Sequence, residues 1–129
     1  MTSWLNLAAI AAGGALGSVS RYLITIASAA VPGGSSMLGT TIANVLGCAL
    51  IGALTAYGAV DGNLSDRTAL ALRVGFLGGL TTFSSFAAES AAVAGEGHWL
   101  TSGIYVCANL FLGWAALMLT TSLVKGWIG

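Results

Sequence analysis

Charge is nearly missing from this chain: of its 129 residues, four are Lys or Arg, four are Asp or Glu, and one is His. A water-soluble domain needs far more polar surface than that. With 57% of residues apolar, the lipid bilayer is the solvent that suits the composition. The balanced charges leave no basic patch, which argues against nucleic acid or an acidic surface as partner. The two cysteines, Cys48 and Cys107, lie in apolar runs with no CxxC and no histidine at ligand spacing. They read as small buried thiols rather than as a disulfide or a metal site. The single histidine, His98, stands in a turn without a neighbouring carboxylate or nucleophile, so no catalytic constellation can be assembled and the chain is expected not to be an enzyme. The N-terminal "MTSWLNLAAI" lacks the basic region of a secretory signal, and its apolar character continues too far for one. It is expected to be part of the mature fold.

What is abundant is apolar sequence in pieces of membrane-crossing length. A helix rises about 1.5 Å per residue, so about 20 residues cross a hydrocarbon core of about 30 Å. Four segments of that size follow one another: Trp4 to Ala30, Met37 to Val60, Thr68 to Ala94 and Trp99 to Lys125. They stop at "VPGGSS", which holds the only proline, at "DGNLSDR", and at "GEGH". Trp99 and Trp127 are placed to anchor the last segment at opposite interfaces. Such short connections imply an all-α integral membrane protein, an up-and-down bundle of four transmembrane helices forming a single domain over residues 1–129. Both termini then lie on one side, side A, and the turns at 31–36 and 95–98 on side B. Arg67, Arg73 and Lys125 fall near side A, a thin bias toward a cytoplasmic side A. Because so light a bias permits insertion in both orientations, and four helices enclose little space, a dual-topology antiparallel homodimer is expected.

Glycine is plentiful, 19 residues. Gly13 with Gly17, Gly39 with Ala43 and Gly47, and Gly75 with Gly79 form rows at four-residue spacing, which let helix backbones approach closely where lipid provides no hydrophobic drive.

The few polar side chains inside the spans converge. Counted by turns from side B, Glu89, Arg21 and Asn44 lie at depths of roughly 8 to 14 Å, with Tyr105 and Asn109 at roughly 9 and 15 Å. Thr40 and Asn44 share one helix face, and Tyr105, Asn109 and Gly113 form another stripe. Each residue has a plain alternative. Arg21 and Glu89 can neutralise one another or snorkel to the headgroups, Asn44 can be an interhelical clasp, and Tyr105 an interfacial anchor. Two aligned stripes and a charged pair nevertheless suit the lining of a narrow passage. Near the midplane, "LTTFS" within "GGLTTFSSFAAES" is either a bend made by back-bonding hydroxyls or a true break in the third helix. A break frees carbonyls, and in an antiparallel dimer two breaks meet on the two-fold axis as an oxygen cage suited to a small hard cation. Phe83 and Phe86, three apart, default to core packing. Their ring edges, the Asn44 amide and hydroxyls of Thr40 or Ser84 are also donors moderate enough to pass a strongly hydrated anion without trapping it.

"GGALGSVSRY", "GTTIANVLGCALIG" and "GFLGGLTTFSSFAAE" together resemble the signatures of the Fluc or CrcB fluoride channels, and the resemblance covers nearly the whole chain. It implies antiparallel dual-topology homodimers in the prokaryotic cell (inner) membrane, with two fluoride pores and a structural sodium ion at the dimer centre, exporting fluoride passively to relieve its toxicity. It implies that Asn44 and Thr40 line the pore from the second helix and that Phe83 and Phe86 contact fluoride from a third helix broken near its middle. Gly78 and Thr81 match positions whose backbone carbonyls hold Na+. Arg21 matches the vestibule arginine of the first helix, and Tyr105 the tyrosine that begins the polar track of the fourth. This chain departs from the pattern after that tyrosine, where Asn109 and Gly113 replace the frequent hydroxyls. The competing expectation is a proton-coupled small multidrug-type exporter of similar length, for which Glu89 is the only embedded carboxylate candidate.

Overall fold

A computed structural model describes residues 3–129. Four helical stretches in it are long and apolar enough to cross a membrane: Trp4–Ala30, Ser36–Val60, Asp66–Gly95 and Trp99–Ile128. The protein is a multi-pass membrane protein, all-helical over the described residues. The expected spans thus hold, each end moving by a few residues at most. Helix α1 (Trp4–Ala30) begins on Ser3, whose hydroxyl accepts from the Leu5 amide, and it ends at Val31 before the proline. Helix α2 (Ser36–Val60) is capped by Ser35 through the Leu38 amide at 3.2 Å. Serine and threonine serve here because their short oxygens reach the amides left unpaired in the first turn. Gly33 and Gly97 carry the positive φ angles, 76° and 89°, that reverse the chain at the two side-B turns.

The third span is built in pieces. A single turn, α3 (Asp66–Leu70), capped by Ser65, runs into a π-helical stretch over Ala71–Leu77 and a last turn, α4 (Gly78–Leu80). Thr81 and Thr82 are extended, and α5 (Phe83–Gly95) resumes beyond them before α6 (Trp99–Ile128) returns to side A. The break expected at "LTTFS" is therefore real. Apart from Gly75, the π-helical stretch is not signalled by any breaker in "ALRVGFL", and it coincides with a close backbone crossing against α1. A Cβ at Gly13 or Gly17 would overlap the carbonyl oxygens of Ala71 or Phe76, and one at Gly75 would stand 2.7 Å from the Ile10 oxygen. Wider turns present their backbone to α1 at a distance only glycine tolerates.

Close packing of this kind replaces a large core. Among the described residues Leu80 is the only large side chain that is fully buried, with Ala43 and Leu77 beside it at the centre, while Trp99, Leu100, Phe111 and Trp127 point outward, where lipid is the natural neighbour. Leu80 stands one residue before the break, so the discontinuity hangs from the best-packed point of the bundle. The most extensive pairing joins α2 to α6. Of the two cysteines expected to be buried, both are free and Cys48 is half-buried, but Cys107 is exposed on the outer face of α6. An apolar thiol on a lipid-facing helix needs no burial in protein.

Candidate functional site

The break requires a partner for every backbone group it strands, because an unpaired amide or carbonyl at membrane depth costs several kcal/mol, about 2–7 by transfer measures. Asn44 provides two. Its Oδ1 accepts the Thr82 amide at 2.8 Å and its Nδ2 donates to the Thr82 carbonyl at 3.1 Å, pairing with that residue as a neighbouring strand would. Thr82 also caps α5, its hydroxyl accepting from the Ser85 amide at 3.1 Å. Two carbonyls lose their helical donors as a result. The Thr82 amide, which would have served the Gly78 carbonyl four residues back, goes to Asn44. The Ser85 amide, which would have served Thr81, goes to the Thr82 hydroxyl. Arg21 donates its Nε to the Gly79 carbonyl at 3.1 Å, covering a third group at the break.

Toward side B the polar side chains form one connected set. Tyr105 donates its hydroxyl to Glu89 Oε2 at 2.5 Å, and Thr40 donates to Glu89 Oε1 at 3.2 Å. Asn44 Nδ2 donates to Asn109 Oδ1 at 3.0 Å, while Asn109 Nδ2 donates to Thr41 Oγ1 at 3.0 Å and to the Tyr105 carbonyl at 3.1 Å. The stripe of Tyr105, Asn109 and Gly113 is buried along its length, and Cys48 of α2 fills the notch at Gly113, its sulfur 3.2 Å from where a Cβ would stand. Beside it runs an aromatic row, with ring centroids 5.6 Å apart from Phe83 to Phe86 and 5.5 Å from Phe86 to Tyr105. The rings are tilted to one another by 60° and 51°, and Phe83 and Phe86 both line the groove.

The two phenylalanines, alike in sequence, part company here. Phe86 is buried, as the core-packing alternative expects, but Phe83 is 76% exposed at mid-membrane. It lines, with Asn44, Thr81, Thr82, Phe86 and Asn109, a groove of about 400 Å³ that runs along the open side of the chain to Arg73 and also contains Gly78. Ser84 is exposed, its hydroxyl 3.3 Å from that of Thr82. The pairing of Arg21 with Glu89, one of the sequence alternatives, is not formed: the arginine serves the Gly79 carbonyl and the glutamate serves Tyr105 and Thr40.

Sequence reasoning missed Thr41 and Thr82. Thr41 shares a face with Asn44 at the i, i+3 spacing, a relation hidden by the more obvious Thr40 and Asn44 stripe. Thr82 carried a signal in "TFSS", a hydroxyl three residues before another at the start of a helix, which is the cap spacing seen here.

A short, apolar, four-span bundle with a broken helix and a polar, aromatic-edged groove at mid-membrane defines a membrane protein that handles a small solute. The protein belongs to the family described as CrcB-like protein, Camphor Resistance (CrcB), whose model matches residues 8–121. Curated relatives agree along nearly the full chain. A protein of Rhodopirellula baltica named fluoride-specific ion channel FluC is 38% identical, covering 98% of this chain and 99% of its own. Proteins of the same name from Shewanella sp. (strain ANA-3) and Roseiflexus sp. (strain RS-1) are 42% and 36% identical over 83% and 94% of this chain, and 86% and 98% of their own.

Proposed function

We propose that this protein is a passive, fluoride-selective channel that works as an antiparallel, dual-topology homodimer and lets fluoride leave the cell. The observation that carries the reading is the groove at the break, where the exposed Phe83, the buried Phe86, the amide of Asn44 and the polar stripe of α6 stand together at mid-membrane. The relatives named fluoride-specific ion channels, matched almost end to end, support the same solute.

Fluoride is small and strongly hydrated, so a pore must replace its water with donors that do not hold it too long. The donors here are of that moderate kind: ring edges of Phe83 and Phe86, an N–H of Asn44 and the Ser84 hydroxyl, beside a polar lining of Thr40, Tyr105 and Asn109 whose own protons are held within the protein. None carries a full positive charge, and Arg21 stays committed to the Gly79 carbonyl in a vestibule role. Sodium fits the break. The carbonyls of Gly78 and Thr81, deprived of helical donors, are hard oxygen ligands, and an antiparallel second copy doubles them to a set of four around the axis. The ion would supply positive charge that holds the two breaks together. A second copy also covers Phe83, whose exposure leaves the groove open on one side in a single chain.

Growth of a fluoride-sensitive host lacking its own fluoride export tests the proposal, since expression of this chain is expected to restore growth in millimolar fluoride. Failure to do so by protein present in the membrane contradicts it. Labelling of both termini from each side of the membrane tests dual topology, and uniform orientation contradicts that part alone.

A further inference from the structure

Every amide proton of the polar stripe is already spent on protein, and the directions of those bonds are not arbitrary. The Thr82 amide can only donate, so the Asn44 end facing it at 2.8 Å is the oxygen, and the nitrogen faces the Thr82 carbonyl at 3.1 Å and Asn109 at 3.0 Å. The Tyr105 carbonyl can only accept, so the Asn109 end at 3.1 Å is the nitrogen, and its oxygen faces Asn44. Thr41 gives its own proton to the Met37 carbonyl at 3.0 Å, which leaves its oxygen to accept the second Asn109 proton. Two of the four protons therefore hold backbone carbonyls inside the membrane, and one holds Thr41. Only the bond from Asn44 to Asn109 Oδ1 joins two side-chain amides without a backbone group at stake.

We infer that Asn109 is a built-in stand-in for the anion: its side-chain oxygen occupies the one Asn44 N–H that a passing fluoride can take, so conduction requires its displacement. The inference rests on the channel reading above and concerns a residue at which this chain departs from the usual hydroxyl. It also has a consequence for selectivity. A hydrogen bond to an anion is roughly twice as strong as one between neutral groups, so fluoride gains by displacing the amide oxygen. Either kind of solute leaves Asn109 Oδ1 unpaired, and a neutral one has no stronger bond to offset that cost. Thr41 is the positioning residue of the latch, since it orients the Asn109 amide from the other end.

The test is fluoride efflux from proteoliposomes over a range of fluoride concentrations, with dimer assembly followed by size exclusion. Asn109→Ser shortens the side chain and frees the Asn44 proton, and Thr41→Val loosens the latch with Asn109 in place. Both are expected to lower the half-saturating fluoride concentration, the former by roughly fivefold, the equivalent of about one net hydrogen bond. Asn109→Asp holds the Asn44 proton more tightly and repels the anion, so efflux is expected to fall at least tenfold. Residues that only pack would lose activity in all three variants. Unchanged or raised half-saturation in both Thr41→Val and Asn109→Ser overturns the latch, and Thr41→Val decides alone should the serine variant not assemble. Absence of fluoride efflux from the unaltered protein overturns the channel reading instead.

Discussion

Two seams hold this bundle together, and they are built from opposite materials. Where α1 crosses the third span, Gly13 and Gly17 meet Gly75 and Gly79 so closely that a Cβ at Gly79 would lie 2.6 Å from the Gly14 oxygen and 3.0 Å from the Ser18 amide. The seam between α2 and α6 is also close, but side-chain hydrogen bonds are threaded through it. Thr120 donates to the Ala49 carbonyl at 2.8 Å and Thr121 to Gly52 at 3.2 Å in the side-A half, while Asn44, Thr41 and Asn109 interlink toward side B. Backbone contact alone is enough to join helices in lipid, so the polar groups of the second seam are surplus to packing. In its side-A half they reach only backbone. In its side-B half they reach one another, and that half borders the groove.

The contrast predicts that the first seam fails in assembly and the second in conduction. The largest effect belongs to Gly17→Leu. Its side chain would have to enter the Phe76 carbonyl and the Leu80 amide, 2.9 Å from the place of a Cβ, so no monodisperse protein is expected by size exclusion. Next is Asn44→Asp, which turns two donors into acceptors facing the Thr82 carbonyl and Asn109 Oδ1 and places a negative charge in the groove. Fluoride efflux is expected to vanish, and normal efflux would remove Asn44 from the mechanism. Phe83→Ile and Phe86→Ile sharpen the comparison within one turn of helix. The Phe83 variant is expected to cost several-fold in efflux while the single chain keeps its packing, whereas the buried Phe86 is expected to cost both efflux and packing, about 1 kcal/mol in stability by the usual range for core shape changes. The smallest effect is Thr120→Val. It removes a hydrogen bond within the membrane worth about 0.6 kcal/mol, and efflux is expected to be unchanged.

Much of this architecture was legible in the sequence because it follows from local rules. Apolar length sets the spans and small residues every fourth position mark the close faces, whereas the capping hydroxyls of Ser35, Ser65 and Thr82 were not read as helix starts. The hydroxyls of Thr81 and Thr82 left a bend and a break equally open, and it was the family resemblance that implied the break. The π-helical stretch was not legible. Gly75 weakens "ALRVGFL" as a helix without dictating a wider turn, and the widening occurs against a neighbouring helix 58 or more residues earlier in the chain, at Gly13 and Gly17. Of the alternatives for Arg21, the pairing with Glu89 is not formed. From charge alone Glu89 is its natural partner, but a carbonyl at the break lies in reach and needs a donor, while two hydroxyls already satisfy the carboxylate. Among the candidate pore residues, depth and helical spacing brought Asn44, Asn109, Tyr105 and Thr40 correctly to one place. Which proton each would give to which oxygen depends on side-chain directions that spacing does not encode.

The groove beside Phe83 and Asn44 is expected to pass fluoride and to refuse a larger halide. Purified protein in liposomes loaded with both anions at equal concentration, with an ionophore to dissipate the voltage and ion-selective electrodes outside, tests it directly. Rapid appearance of fluoride with chloride retained is the predicted result. Retention of fluoride by correctly assembled protein, or release of both anions together, would contradict it.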